Sequence, residues 1–404
     1  MSTNGNRGVD RGPFRSATVN QDGLLKVVVH RTPESLMASN TSVNLSGTTH
    51  NTGLSNATAA LNISTKLTNI QIPIDKTRHV SSPTPSVQIS APSNMSTKLD
   101  NSTKANDTSL HPSEALQSII TSDPGKPMIC HHFTPGRLGN HLFEYASILG
   151  IARTTNRSFF FPNNGQLLGN LKYPPVQNRT SAQLKARCKS AKKKWEKYLC
   201  RYDNHLLDLE KGKDYNLFDY FQSWVYFDGI QEEIRQAVTF SDEIVQSATV
   251  VISRLKTAYP NTTLVGIHNR RGDLAKKALR RHGYLTAPPE FFKKSMTYFR
   301  ERFSRVLFVV LGEDSLWSAE NIHPVNDDVI FLEPNSSPTV DMQILSMTDH
   351  MIRTVGTFGW WAAFKIPGRP TVVYLKDFVK KGSMLSKLYS ANAQDYMLPN
   401  WIAM

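Results

Sequence analysis

Strand-like and helix-like stretches alternate from Met128 to the last residue, and this alternation predicts an α/β fold built on a doubly wound parallel sheet. Two further observations support it. The strand-like runs, such as TLVGIHN and RVLFVVLG, are short, apolar and rich in β-branched residues, as strands buried on both faces should be. Several of them end in glycine-bearing turns, the place where parallel sheets present their functional loops.

The elements follow in order. PMICHHF reads as a strand, TPGRLGN as a glycine turn, and HLFEYASILGIARTT as a helix with apolar residues at Leu142, Tyr145, Ala146, Leu149 and Ala152. RSFFFP closes a β-turn-α-β unit. Residues 165–215 are polar and basic and give no clear element. DEIVQSATVVISRLKTAY then reads as a helix, TLVGIHN as a strand, and PPEFFKKSMTYFRERF as a helix with proline at its start. RVLFVVLG, DVIFLEP, HMIRTVG and PTVVYL are strands; EDSLWSAENI, TVDMQILSMTD and TFGWWAAFKI are the helices between them.

Residues 1–125 differ in kind. They are rich in Ser, Thr, Asn and Pro, and Phe14 is their one aromatic residue. Such a segment buries too little apolar area to offset its ordering entropy, so a disordered stem is expected. Sequons at Asn40, Asn44, Asn56, Asn62, Asn94, Asn101 and Asn106 suggest that this stem is glycosylated; Asn156, Asn178, Asn261 and Asn335 add four in the remainder. No stretch approaches the length of a membrane span, and LLKVVVH is too short for a signal core.

The net charge is +14, of which residues 1–125 contribute +2 (ten Lys/Arg against eight Asp/Glu), leaving +12 for the rest. The basic run Lys185 to Lys197 reads either as a solvated helix face or as a surface for an anionic partner. Of the three cysteines, Cys188 and Cys200 flank the lysine cluster Lys192 to Lys194 and could pair in an oxidising compartment, which would leave Cys130 free. No Cys/His metal spacing, no GxxxxGK[ST] phosphate loop and no Asp-x-Asp pair occurs. An anionic ligand would therefore be met by arginine and helix N-termini.

Four strand ends carry candidate chemistry. In HNRRGD, strand alternation puts His268 and Arg270 on one side and Asn269 and Arg271 on the other. Arg270 can then face a ligand while Arg271 holds the turn through Asp273; an ion pair without a ligand is the plainer alternative. Thr357, Phe358 and Gly359 sit at a helix start, where backbone N–H groups suit phosphate and Thr357 can equally be a cap. Glu313 and Asp314 follow another strand, either as N-caps or as readers of a base with paired donors. Gly136, Gly139 and Asn140 shape the first glycine loop. Trp360 and Trp361 read as packing.

Together GRLGNHLFEYASILGIA, YFQSWVYF, VGIHNRRGDL, RVLFVVLGEDSLWSAENI, TVGTFGWWAAF and LPNWIAM resemble, in the right order, the galactoside α1,2-fucosyltransferases of glycosyltransferase family 11. The resemblance implies a GT-B-like fold: an N-terminal lobe on the acceptor side, residues 126–250, and a C-terminal lobe, residues 251–404, that binds GDP-fucose. It implies an inverting transfer of L-fucose to the 2-OH of a terminal β-galactoside, with no cofactor and no metal. By the same resemblance, His268 contacts the guanosine end, Arg270 the diphosphate, Glu313 or Asp314 the guanine, and Thr357, Phe358 and Gly359 the phosphate. Gly136, Gly139 and Asn140 close on the donor. Family members are type II Golgi membrane proteins, and the membrane anchor of that arrangement is absent from this sequence.

The catalytic base is not placed by the sequence. Glu144 and Asp273 are the candidates, with His132, His141 and Asp228 open. Tyr220, Phe221, Gln222 and Trp224 are expected to hold the acceptor through ring faces, or else to pack the core. Asn269 departs from the apolar residue usual in the family. A fucosyltransferase of other linkage, or a non-enzymatic binder of polyanions, is the alternative; no nucleic-acid motif supports the latter.

Overall fold

The computed structural model describes residues 14–19, 25–30, 112–123, 125–177, 180–335 and 337–404. The described strands are β1 (Phe14–Val19), β2 (Leu25–His30), β3 (Thr121–Ser122), β4 (Met128–Cys130), β5 (Ser158–Phe160), β6 (Val176–Gln177), β7 (Lys192–Trp195), β8 (Tyr215–Phe218), β9 (Thr263–Asn269), β10 (Val306–Gly312), β11 (Val329–Leu332), β12 (His350–Arg353), β13 (Val372–Tyr374) and β14 (Ile402–Ala403). The α-helices are α1 (Pro112–Ile120), α2 (Leu138–Thr154), α3 (Ser181–Ser190), α4 (Gln231–Ala237), α5 (Asp242–Ala258), α6 (Lys277–His282), α7 (Pro289–Arg300), α8 (Ser315–Asn321), α9 (Pro338–Ser346) and α10 (Thr357–Phe364).

Two parallel sheets form two α/β lobes, the expected GT-B-like architecture. The first lobe has strand order β5-β4-β8-β7, with every pairing parallel. The second runs β14-β13-β12-β9-β10-β11 in parallel register, and β1 and β2 extend it beyond β11. Counted from β9, the parallel strands of this sheet follow the doubly wound order in which β9 and β12 flank the reversal of winding. A crevice opens at the carboxyl ends of strands at such a reversal, so the topology places the ligand loops after β9 and β12.

Several expectations are revised here. Strands β1, β2 and β3 and helix α1 fall within the stretch expected to be a disordered stem; residues 1–13, 20–24, 31–111 and 124, with the stem sequons, lie outside the described residues. Leu116, Ile119 and Ile120 of α1 are buried in the main core, so the first lobe begins before residue 126. The lobe boundary drawn at 250/251 cuts α5, which packs on α9 of the second lobe. The basic run is not one helix face. It is α3 followed by β7, the edge strand of its sheet, whose lysines guard the unpaired edge against other strands. The disulfide joins Cys130 to Cys188, with Cα atoms 5.8 Å apart, and Cys200 is free and buried. Cys130 ends β4, and Cys188 lies on the buried side of α3 with Leu184, in a small cluster with Met128 and Phe160.

Helices α2 and α10 are buried on nearly every side. A helix apolar all round belongs in the interior, and these two pack against each other at the centre of the molecule. Phe143 lies 4.5 Å from Trp360 and 5.2 Å from Trp361, ring centre to ring centre, so the two tryptophans are core, as expected.

Candidate active site

A cleft of about 510 Å³ lies between the lobes, at the carboxyl ends of both sheets. The loops after β4 and β8 line it from the first lobe, and those after β9, β10 and β12 from the second.

Helices α2 and α10 bring their N-termini into this cleft. Neither has a side-chain cap: Arg137 precedes α2 and Gly356 precedes α10 without making one. Their first N–H groups and dipoles are therefore left to a ligand. The approach depends on Gly139, where an added Cβ would lie 2.7 Å from the Phe358 nitrogen and the Thr357 carbonyl carbon. Gly356 has φ 101, a left-handed conformation that favours glycine, and a Cβ there would meet the Arg270 guanidinium at 2.5 Å. Thr357 is not a cap. Its hydroxyl donates to Asn140 Oδ1 at 2.8 Å, and Gln222 Nε2 donates to the same oxygen at 3.2 Å, so Asn140 ties three segments of the cleft together.

The alternation read from the sequence at β9 is what the structure shows. His268 and Arg270 face the cleft, with the His268 ring stacked on Phe358 at 5.1 Å. Asn269 and Arg271 turn toward α8. Asn269 Nδ2 donates to Ser318 Oγ at 2.9 Å, and the Arg271 guanidinium lies 3.9 Å from the Trp317 ring centre. A buried amide with its partner replaces an apolar contact, which accounts for the unusual Asn269. The partner assigned to Asp273 was wrong. Arg270 binds it, at 3.0 Å between Nη2 and Oδ2, because both stand on the cleft side of the turn; Arg271 instead approaches Asp314 at 3.7 Å.

Burial lowers the Arg270 pKa, but the hydrogen bond and charge of Asp273, with Glu313 beyond, outweigh it and raise the pKa. Arg270 is thus a permanent cation on the cleft wall. The reciprocal effect lowers Asp273: burial would raise it, and Arg270 and Arg137 pull it down. Burial pushes His268 down to about 3, helped by Arg353, Arg270 and Arg137, so its ring is neutral at physiological pH.

Other expected residues divide. Gly136, Gly139, Asn140, Glu313, Phe358, Tyr220 and Gln222 line the cleft. Asp314 does not; it caps α8 by accepting the Trp317 N–H at 3.1 Å, the plainer of its two readings. Gly359 lies behind His268, where a Cβ would stand 2.5 Å from Nδ1. Phe221 is wholly buried, with its N–H on Glu196 and its carbonyl on Ser147 Oγ, so it packs the core. Trp224 also leaves the acceptor set: its indole N–H donates to the carbonyls of Gln394 and Met397. Ser223 Oγ and the Trp224 N–H donate to the Asp395 carbonyl, and the Tyr202 N–H to its carboxylate, so the C-terminal segment is fastened to the first lobe.

Glu144 is removed from candidacy as a base. It is fully buried off the cleft, and its carboxylate accepts from Thr134 N–H and Oγ and pairs with His131 Nε2 at 2.9 Å. It holds the loop that leads to Gly136. His141 is bonded to the Thr134 carbonyl and the Gln166 N–H; exposed His132 and Asp228 also lie outside the cleft.

Sequence reasoning missed four side chains. Arg137 sits between two of the expected loop residues and reaches across to Asp273 and Glu313. Arg353 ends β12 fully buried and donates to the Gly356 carbonyl at 3.0 Å, holding the loop that leads into α10. Asp341 and Tyr284 also line the cleft. Burial raises Asp341 to about 6, against the opposing Asn335 N–H bonds. For Arg137 the signal was present, a third basic residue beside a glycine turn. The others needed tertiary contacts. Among the described residues, no group of three or more His, Cys, Asp or Glu side chains is placed to hold a metal ion.

The family model for glycosyl transferase family 11 matches residues 118–404. Galactoside alpha-(1,2)-fucosyltransferase 2 of Pongo pygmaeus is 30% identical over 280 residues, covering 66% of this chain and 76% of its own. Galactoside alpha-(1,2)-fucosyltransferase 1 of Oryctolagus cuniculus is 30% identical over 282 residues, covering 66% and 71%. Among solved structures, Arabidopsis thaliana FUT1 in complex with GDP overlaps 65% of this chain and 73% of its own, at 14% identity and a TM-score of 0.41. The protein belongs to glycosyl transferase family 11, the family its six motif segments pointed to, and is a glycosyltransferase.

Proposed function

We propose that the protein is a galactoside 2-α-L-fucosyltransferase that uses GDP-fucose and inverts at the anomeric carbon. The observation that carries this reading is the meeting, in one cleft, of the Arg270 guanidinium and two helix N-termini without side-chain caps. The names of its relatives support the α1,2 linkage and a galactoside acceptor.

In the transfer, the acceptor 2-OH oxygen forms a bond to the fucose anomeric carbon from the face opposite GDP. The bond from that carbon to the β-phosphate oxygen breaks, GDP departs with the bonding electrons, and the hydroxyl proton passes to water. Negative charge grows on the β-phosphate, so the fixed positive potential of Arg270 and the helix ends of α2 and α10 stabilises the transition state more than the ground state. These groups supply the charge that a divalent metal supplies elsewhere, and we propose a metal-free reaction. Neutral His268, with Nδ1 buried behind it, offers its Nε2 edge to the nucleoside. Asp273 acts as the charge partner of Arg270, since its lowered pKa makes it a weak base. The Cys130–Cys188 disulfide suits a lumenal enzyme, and we place it in the Golgi.

The test is incubation of the full chain with GDP-fucose and a panel of β-galactosides, with and without EDTA, followed by linkage analysis. An α1,2-linked product, formed equally in both, is expected. No transfer to any β-galactoside overturns the reading, and loss of activity in EDTA overturns the metal-free part. Arg270→Ala should weaken GDP binding in calorimetry by about a hundredfold, the scale of a lost charge-assisted contact; near-native binding would remove Arg270 from the donor site.

A further inference from the structure

We propose that Trp195 and Phe218 form a stacking platform for an inner sugar of an oligosaccharide acceptor, beyond the sugar that receives fucose. The proposal rests on the acceptor reading above. Trp195 ends β7 and is 54% exposed, and its ring stacks on that of Phe218 with centres 5.0 Å apart and planes 18° from parallel. The two residues are register partners on adjacent parallel strands. Neither ring joins the hydrophobic core, so core packing does not explain the exposed indole. One indole face rests on Phe218 and the other is left to solvent.

The platform stands at the carboxyl ends of β7 and β8, the end of the sheet at which the cleft lies, although neither ring lines the cleft itself. The chain leaving β7 reaches Leu199, and the chain leaving β8 reaches Tyr220; both residues line the cleft. The second path turns sharply, with Asp219 at φ 111 and Phe221 at φ 48, both in left-handed backbone that side chains rarely adopt. That strain aims Tyr220 into the cleft and leaves Phe218 beside Trp195. A glycan that places its terminal galactose in the cleft and runs out past Tyr220 meets the open indole face. The C–H groups of a pyranose carry partial positive charge, and the negative face of the ring attracts them.

Equilibrium binding of methyl β-galactoside and of a β-galactose-terminated tetrasaccharide is measured, with GDP present, for the wild type, Trp195→Ala and Trp195→Phe, together with fucose transfer. The expected result is tetrasaccharide binding about tenfold weaker in Trp195→Ala, in line with a lost stacking contact. Methyl β-galactoside binding stays unchanged, and Trp195→Phe restores most of the loss. Equal tetrasaccharide binding by wild type and folded Trp195→Ala overturns the platform, as does a wild type that does not bind the tetrasaccharide. A change of oligomeric state in Trp195→Ala with sugar binding unchanged assigns the ring to a second copy of the chain and also overturns it. Should the wild type bind the tetrasaccharide through Trp195 yet transfer no fucose, the platform stands and the transferase reading fails.

Discussion

Arg137 Nη1 stands 2.6 Å from Glu313 Oε1, and its Nη2 stands 3.2 Å from Asp273 Oδ2, so one side chain of the first lobe spans two carboxylates of the second. The pairs are exposed, with the Arg137 side chain 61% accessible, and exposed pairs contribute at most about 1 kcal/mol each. Arg137→Ala should therefore shift the melting temperature by only about 3 °C or less. The donor KM should rise severalfold, because a cation is lost from the cleft mouth. Added salt should raise the wild-type KM toward that of the variant. Calorimetry and initial rates check both; a large loss of stability with unchanged KM would assign Arg137 to the fold alone.

Gly139→Ala tests the contact between the two central helices. The new methyl group would lie 2.7 Å from backbone atoms of Thr357 and Phe358, which cannot rotate away. Parting the helices should cost about 1–3 kcal/mol, read as a lower urea midpoint. GDP binding should fall further than stability, because both helix N-termini move. Full activity in the variant would show that the helix ends do not hold the donor.

Two cleft groups make opposite pH-dependent contributions to stability. His268 is held near 3 in the folded state against 6.5 when free, so the unfolded chain binds the extra proton between those values. Its stabilising effect is present above 6.5 and is lost as pH falls, with a slope of about 1.4 kcal/mol per pH unit. Asp341 is held near 6 against 3.8, so the folded state binds the extra proton; its effect is present below 3.8 and is lost as pH rises through 6. Between about 4 and 6 the two slopes oppose each other. The two contributions nearly cancel there, so Asp341→Asn should make stability rise with pH in that window and His268→Gln should make it fall. Denaturant titrations at stepped pH measure both.

Peptide mapping without reduction should recover Cys130 joined to Cys188 and find Cys200 alkylated only after unfolding. Cys188→Ala should cost about 2–4 kcal/mol, the usual range for a lost cross-link. A Cys188–Cys200 peptide would contradict the fold of the first lobe.

Much of this was legible in the sequence, for reasons that can be stated. Parallel strands buried on both faces are written as apolar runs, so β9 to β13 stood out, and alternation along β9 assigned His268 and Arg270 to the cleft. What failed depended on distance in space. Asn269 meets Ser318, 49 residues away, and Cys130 meets Cys188, 58 residues away, whereas Cys188 and Cys200 were paired because they flank one lysine cluster. Phe221 and Trp224 were assigned to the acceptor because aromatic residues serve either packing or sugar binding; only burial distinguishes the two. Trp195 was passed over because three lysines precede it and the stretch read as solvent-facing.

The bonds from Tyr202, Ser223 and Trp224 to the segment around Asp395 bear on how substrates enter. A movement that gaped the cleft along this seam would break several hydrogen bonds at once, while a rotation about the seam would spare them. The C-terminal segment therefore resists parting of the lobes along this seam. The Arg137 pairs with Asp273 and Glu313 also cross between the lobes, at the exposed mouth of the cleft beside the Asn140–Thr357 bond, and there an anionic ligand would compete with those carboxylates for the same arginine.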